Sequence, residues 1–168
     1  VAGTSAQVDE LCLDGGSRVA CRGKLSDWLT VDADVAFARA RFNDGDPDGI
    51  GSRIPGSVEG VGSLALAVDN LGPWFGAVQY RYFGPRPLIE DNSVRSSSTA
   101  TINARIGYKI GPKMRIELEA FNLSNRKASA IDYYYMSRLR GEPAAGVDDV
   151  HLHPIESRSF RVSLAANF

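Results

Sequence analysis

The chain has 168 residues, 19 of them basic and 20 acidic, for a formal net charge of −1, and 43% of its residues are hydrophobic. That length suffices for one domain with a core. The charge balance offers no basic excess to hold nucleic acid, and no run of about 18 apolar residues supplies a transmembrane helix. A barrel that crosses a bilayer with strands leaves a weaker trace, short alternating segments between turns, and 17 glycines and 6 tyrosines suit such a β-rich chain.

The chain opens on Val1-Ala2-Gly3, with no initiator methionine and no charged segment leading into an apolar one. The expectation is the C-terminal piece of a longer chain. Residues 1–24 are poorly patterned and are expected to be irregular, with room for one short strand near Gly15–Cys21. Cys12 and Cys21 are the only cysteines. They suit a disulfide in an oxidising compartment and equally two unpaired thiols.

From Leu29 to about Phe42 the pattern sharpens. Leu29, Val31, Ala33, Val35 and Phe37 alternate with Thr30, Asp32, Asp34 and Ala36, the period-two signature of a strand with unlike faces. Two aspartates on one face suit a wet lumen better than a packed core. Residues 43–49 are dense in turn formers. Asp44, Asp46 and Asp48 before Gly49 resemble the start of a calcium loop, but position twelve would be Pro55, so a solvated turn is the preferred reading.

Further strands are expected at about 57–69, 74–83, 99–110 and 113–123. Residues 69–73 and 111–112 form tight turns between them, and a long polar loop covers 84–98. Trp74, Tyr80 and Tyr82 place aromatics at both ends of one face, as at two membrane interfaces. Residues 124–157 are too long for an ordinary hairpin loop. The final segment alternates Phe160, Val162, Leu164, Ala166 and Phe168 against Ser159, Arg161, Ser163, Ala165 and Asn167. Its length suits a tilted strand crossing a bilayer core, about 9–11 residues.

Links near 50, 90 and 140 are long, and those near 70 and 111 are tight. Transmembrane barrels show this asymmetry, with long loops outside and short turns in the periplasm. The expected fold is all-β, an antiparallel up-and-down meander of six to seven strands, part of a large transmembrane β-barrel. The alternative is a small lipocalin-like ligand-binding β-barrel, with the same alternation and its faces reversed.

Three motifs carry a resemblance. They are Arg53-Ile54-Pro55-Gly56-Ser57-Val58-Glu59, Tyr80-Arg81-Tyr82-Phe83-Gly84-Pro85-Arg86-Pro87-Leu88, and Phe121-Asn122-Leu123-Ser124-Asn125-Arg126, and the chain ends on Phe168. In this order the chain from about residue 26 resembles the carboxy-terminal part of TonB-dependent outer-membrane receptors. Residues 25–168 are then the C-terminal barrel strands of such a receptor.

The resemblance implies a bacterial outer-membrane barrel of about 22 strands around a plug. It would import a scarce ligand such as a ferric siderophore, cobalamin or glycan. It also implies four partners: outer-membrane lipid, the rest of the barrel and plug, the TonB complex through a region preceding this chain, and the barrel-assembly machinery through Phe168. The segment alone would not transport. Its first 24 residues depart from the family pattern, which has another amphipathic strand before Leu29.

Within that frame, Tyr133, Tyr134 and Tyr135 in the longest loop are candidates for ligand capture. Packing of the loop onto the barrel rim is the preferred reading. Arg105, Lys109, Arg115, Glu117, Glu119 and Arg161 are expected to face the lumen in cross-strand charge pairs or plug contacts, with Arg105 and Arg115 as candidate ligand contacts. His151 and His153, two apart in extended chain near Asp148 and Asp149, are weak candidates for a metal; the preferred reading is a polar loop. No catalytic or cofactor motif is present, and neither an enzyme nor a cofactor is expected.

Overall fold

The computed structural model describes residues 13–14, 18–43 and 49–167. Asp44, Asp46 and Asp48 of the calcium-like turn, Cys12 and the terminal Phe168 lie outside the described residues. The strands are β1 (Leu13–Asp14), β2 (Arg18–Ser26), β3 (Leu29–Phe37), β4 (Gly60–Leu71), β5 (Trp74–Phe83), β6 (Thr99–Ile110), β7 (Met114–Phe121), β8 (Ser129–Ser137), β9 (Val147–Pro154) and β10 (Ser159–Ala166). One antiparallel sheet of eight strands runs β1-β2-β3-β4-β5-β6-β7-β10, and β8 and β9 form a separate two-stranded sheet. No helix occurs among the described residues.

β5 and β6 coincide with the expected strands, and β3, β4, β7 and β10 fall within a few residues of them. Two regions differ. Residues 18–24, expected to be irregular, form most of β2. The long segment after β7 holds the β8–β9 hairpin, which explains why it is too long for a simple loop. β2 was obscured because its small outer residues, Cys21 and Gly23, blunt the apolar period. Its inner face carries the clearer signal: Arg18 and Arg22 meet the aspartates of β3, and Lys24 pairs with Asp27 of the turn. Arg22 lies opposite Asp32 in register, and Arg18 is ion-paired with Asp34. Cys21, on the opposite face, is disulfide-bonded.

The pairing register keeps the two faces separate across the sheet. Leu66, Val78, Ala104, Ala120 and Phe160 are successive cross-strand neighbours on one face. One step along, Ala67, Ala77, Arg105, Glu119 and Arg161 are neighbours on the other. The period of two makes this separation obligatory once the register is set. The apolar face is open: Ile106 is 52% exposed and Val162 70%, while only Phe75, Leu88 and Ala120 are buried hydrophobics among the described residues. A lipocalin-like barrel would instead enclose that face, so the small-barrel alternative is set aside.

The short β2–β3, β4–β5 and β6–β7 links lie at one end of the sheet. The β2–β3 link is Asp27-Trp28, and the carbonyl of Trp28 accepts from the Asp69 N–H at 2.9 Å beside the next hairpin. The Pro73 carbonyl accepts from Lys109 and the Lys113 carbonyl from Asn167, each at 2.9 Å. Asn70 (φ 58°) and Gly72 (φ 60°) supply the left-handed residues that the tight β4–β5 turn requires. The long links 38–59, 84–98 and 122–158 lie together at the opposite end, the arrangement of a transmembrane barrel with its turns on one side and its loops on the other.

Candidate functional site

At the long-loop end, the first two motifs fold against each other. The Arg53 N–H donates to the Glu90 carbonyl at 3.0 Å, and the Gly56 N–H to the Pro87 carbonyl at 2.8 Å. Gly51 has φ 119°, and a Cβ there would sit 2.3 Å from the Glu90 backbone, so only glycine permits this approach. Glu59 closes the contact. It takes Arg53 at 2.5 Å on one carboxylate oxygen and Arg95 on the other, and Arg95 also reaches the Pro85 carbonyl at 3.0 Å.

The hydrogen bond from Arg95, aided by the positive charges of Arg95, Arg53 and Arg39, holds the Glu59 carboxyl below its ordinary value of 4.5 against an opposing effect of burial. A lowered value in the folded state means that the stabilisation is complete above about pH 4.5 and is lost as pH falls through the depressed value. Spin labels at Ile50 and Ser93 are expected to report a fixed distance at pH 6 and a broadened, longer one in stronger acid. In Glu59→Gln the clasp is already weakened at pH 6. A distance in the native protein unchanged down to pH 2 would refute this role of Glu59.

The third motif closes β7. Asn122 adopts φ 46° and Asn125 φ 50°, both left-handed. The Asn122 Nδ2 group donates to the carbonyls of Arg126 (3.0 Å) and Glu156 (2.9 Å), and its Oδ1 accepts from the Arg126 N–H at 2.9 Å. The Asn125 Oδ1 accepts from the Arg158 N–H at 3.1 Å. The two asparagines thus fasten the end of β7 to the segment that starts β10.

The β8–β9 hairpin rises between these fastenings. Tyr133 lies opposite His151, Ile131 opposite His153, and Tyr135 opposite Asp149, all on one face. Tyr135 stacks on the His151 ring with centroids 3.9 Å apart, and Tyr133 meets His153 edge-on at 6.5 Å. Tyr133 and Tyr135 remain about half exposed. Tyr134 points to the other face with Asp132 and Met136. There Asp132, with 5% of its side chain exposed, binds Arg86 of the second motif at 3.0 Å, and Arg86 also reaches the Ala130 carbonyl at 3.3 Å. Asp132 and Arg86 therefore dock the hairpin on the rim, while Tyr133 and Tyr135 stay exposed.

Among the described residues no group of three or more His, Cys, Asp or Glu side chains is placed to hold a metal. His151 and His153 thus lack a third such ligand, and both rings are engaged by tyrosines. Sequence reasoning passed over Asp132 and Arg86. Their signal was an aspartate within an aromatic strand, where a charge needs a partner.

On the polar face, Arg161 pairs with Glu119 at 3.3 Å, and Arg105 lies opposite Glu119 in register. Arg115 lies opposite Lys109, a like charge. Among the described residues Arg105, Lys109, Arg115 and Glu117 make no ion pair, so the expected ladder of charge pairs is realised here only at Glu119. Arg105 lines a hollow of about 510 Å³ floored by Ala65, Ala67 and Ala77. Arg115 lies at the turn end, apart from it.

A family model described as TonB dependent receptor-like, β-barrel, matches residues 10–123, more than half of the chain. No curated protein matches the sequence. Among solved structures, the chain is similar to the closed form of the ferric-catecholate import receptor Fiu from E. coli K12, with TM-score 0.68, 18% identity, and coverage of 90% of this chain and 20% of that one. It is also similar to the ferric yersiniabactin uptake receptor FyuA from Yersinia pestis (0.66, 17%, 90% and 23%) and to the copper transporter OprC (0.63, 14%, 90% and 23%). The chain thus spans a quarter or less of the length of these structures. The sheet order, the segregated faces and the one-sided tight turns agree with the family match: this chain belongs to the TonB-dependent receptor β-barrel family, whose members are receptors of the bacterial outer membrane.

Proposed function

We propose that residues 25–168 supply the C-terminal barrel strands of a TonB-dependent receptor that imports a scarce ligand such as a ferric siderophore, cobalamin or glycan, and that the exposed Tyr133–Tyr135 face of the hairpin helps to capture it. The observation that supports capture is the division of labour in β8. Asp132 is paired with Arg86 on the rim, and Tyr133 and Tyr135, on the opposite face, are about half exposed. Tyrosine offers apolar area with a polar tip at low entropic cost, which suits adaptable recognition. The names of the similar structures, with ferric-catecholate import, ferric yersiniabactin uptake and copper transport among them, support a metal-linked cargo.

Transport itself would need the remaining strands, a plug and the TonB complex. The open edge of β10 would pair with a strand outside this chain, Phe168 would serve the barrel-assembly machinery, and the apolar face would meet outer-membrane lipid.

The test is uptake by cells whose chromosomal copy carries Tyr133→Ala with Tyr135→Ala, offered labelled ferric chelates, cobalamin and oligosaccharides. For one of these the apparent affinity is expected to fall about tenfold, the effect of roughly 1.4 kcal/mol, with the barrel present in normal amount. Unchanged uptake of every compound taken up by the parent would remove the capture role. A parent that takes up none of them would remove the named cargo classes.

A further inference from the structure

The apolar face is not uniform. A groove of about 720 Å³ crosses it, walled by Leu66, Trp74, Val78, Ile106, Leu118 and Phe160. Its floor is Gly76, Ala104 and Ala120, on the adjacent strands β5, β6 and β7. The floor at Gly76 is fixed by the backbone: a Cβ there would lie 2.5 Å from the Arg105 carbonyl oxygen.

The groove begins at the tight-turn end, where Trp74 packs edge-on against Tyr108 with centroids 4.8 Å apart. An aromatic pair of this kind belongs at a membrane interface. The groove reaches Leu123, whose N–H donates to the Ile102 carbonyl. From Tyr108 to Ile102 is about 20 Å of strand. At a strand tilt of about 45° this is about 15 Å of depth, half of a hydrocarbon core about 30 Å thick.

We infer that this groove holds one acyl chain of a phospholipid from the periplasmic leaflet. The inference rests on the outer-membrane placement proposed above. In that placement the groove is continuous with the bilayer-facing surface, and only hydrocarbon is present to fill it. An unfilled hollow would forfeit dispersion contacts along its whole lining. Its volume lies within the usual range for ligand pockets, about 300–1,000 Å³. The turn-end aromatic pair sets the leaflet, because the tight turns of such barrels are periplasmic.

The test uses the chain reconstituted in phosphatidylethanolamine vesicles, with Trp28→Phe leaving Trp74 as its single tryptophan. Two measurements are made: quenching of Trp74 by lipid brominated on its chains, and native mass spectrometry of phospholipid retained after detergent exchange. Trp74 is expected to be quenched, and a single phospholipid to be retained per chain. Ala104→Phe and, independently, Ala120→Leu fill the groove and should abolish retention while Trp74 stays quenched. Leu164→Phe, on the same face outside the groove, should retain the lipid. Quenching without a retained lipid, or retention unchanged in both filled variants, overturns the groove alone. Absence of quenching in the parent protein overturns the membrane placement and the groove with it.

Discussion

Replacing Asn122 with alanine is expected to destabilise the sheet by about 4–5 kcal/mol. Three side-chain hydrogen bonds disappear, at roughly 1 kcal/mol each, and an alanine held in the left-handed region adds about 1–2 kcal/mol. The loss falls at one place, because the carbonyls of Arg126 and Glu156 that Asn122 serves belong to the two segments that bring β10 to β7. Urea unfolding of the micelle-bound protein measures the total. Asn122→Gly separates the two causes, since glycine accepts φ 46° without strain but makes none of the bonds. It should recover about 1–2 kcal/mol relative to alanine. An alanine variant within about 0.5 kcal/mol of the parent, the range of ordinary surface substitutions, would show that the asparagine is not a fastening.

Asp132→Ala carries the second large effect. It leaves the Arg86 guanidinium, 13% exposed, without its carboxylate. Breaking a buried pair by removing one partner costs about 3–5 kcal/mol. The consequence should be local. Besides Arg86, the hairpin is attached to the rim at its base, where the Thr99 Oγ1 donates to the Ser129 carbonyl at 2.8 Å. Hydrogen exchange is therefore expected to accelerate across β8 and β9 while β5, β6 and β7 keep their protection. Arg86→Met combined with Asp132→Leu removes both charges and should restore most of that protection, because a matched apolar pair avoids the stranded charge. If the single and double variants exchange alike, docking does not depend on this pair.

The strands that were legible in the sequence are those whose apolar side chains alternate without interruption. β5 and β6 begin and end where the pattern does, because turn formers bound them on both sides. β3 was read too long. Beyond Phe37 polar and apolar residues still alternate, but on exchanged faces: Arg39 and Arg41 follow on the side of Val35 and Phe37, the pairing with β4 stops at Gly60, and the chain turns to its own loop through the Phe42 N–H and the Ser52 carbonyl. The local sign of that end is Arg39, the first charge on the side that Leu29 to Phe37 keep apolar. β8 escaped because tyrosines occupy both of its faces, so hydrophobicity shows no period there.

The candidate site was legible in part for the same reason. Tyr133, Tyr134 and Tyr135 stand out as a cluster. Which of them faces outward depends on the register with β9 and on the Arg86–Asp132 pair, a contact between residues 46 positions apart. Likewise the motifs at residues 53–59 and 80–88 were visible one by one. Their contact through Glu59 and Arg95 exists only in the folded chain.

The hairpin also bears on how the chain closes its last pairing. β7 and β10 are separated by the 37 residues of 122–158, and β8 to β9 occupies 129–154, so a formed hairpin leaves 7 residues on one side and 4 on the other, 11 in all, to be closed. Loop-closure entropy grows as (3/2)RT ln n, so shortening the open chain this way lowers the cost of docking β10 by about 1 kcal/mol. The local pairing of β8 with β9 is thus expected to precede the distant pairing of β7 with β10. Pulse-labelled hydrogen exchange during refolding should find the β8 and β9 amides protected before those of β10, and the reverse order would contradict it. A device at the outer rim would then also guide the order of assembly, with the edge strand the last to join.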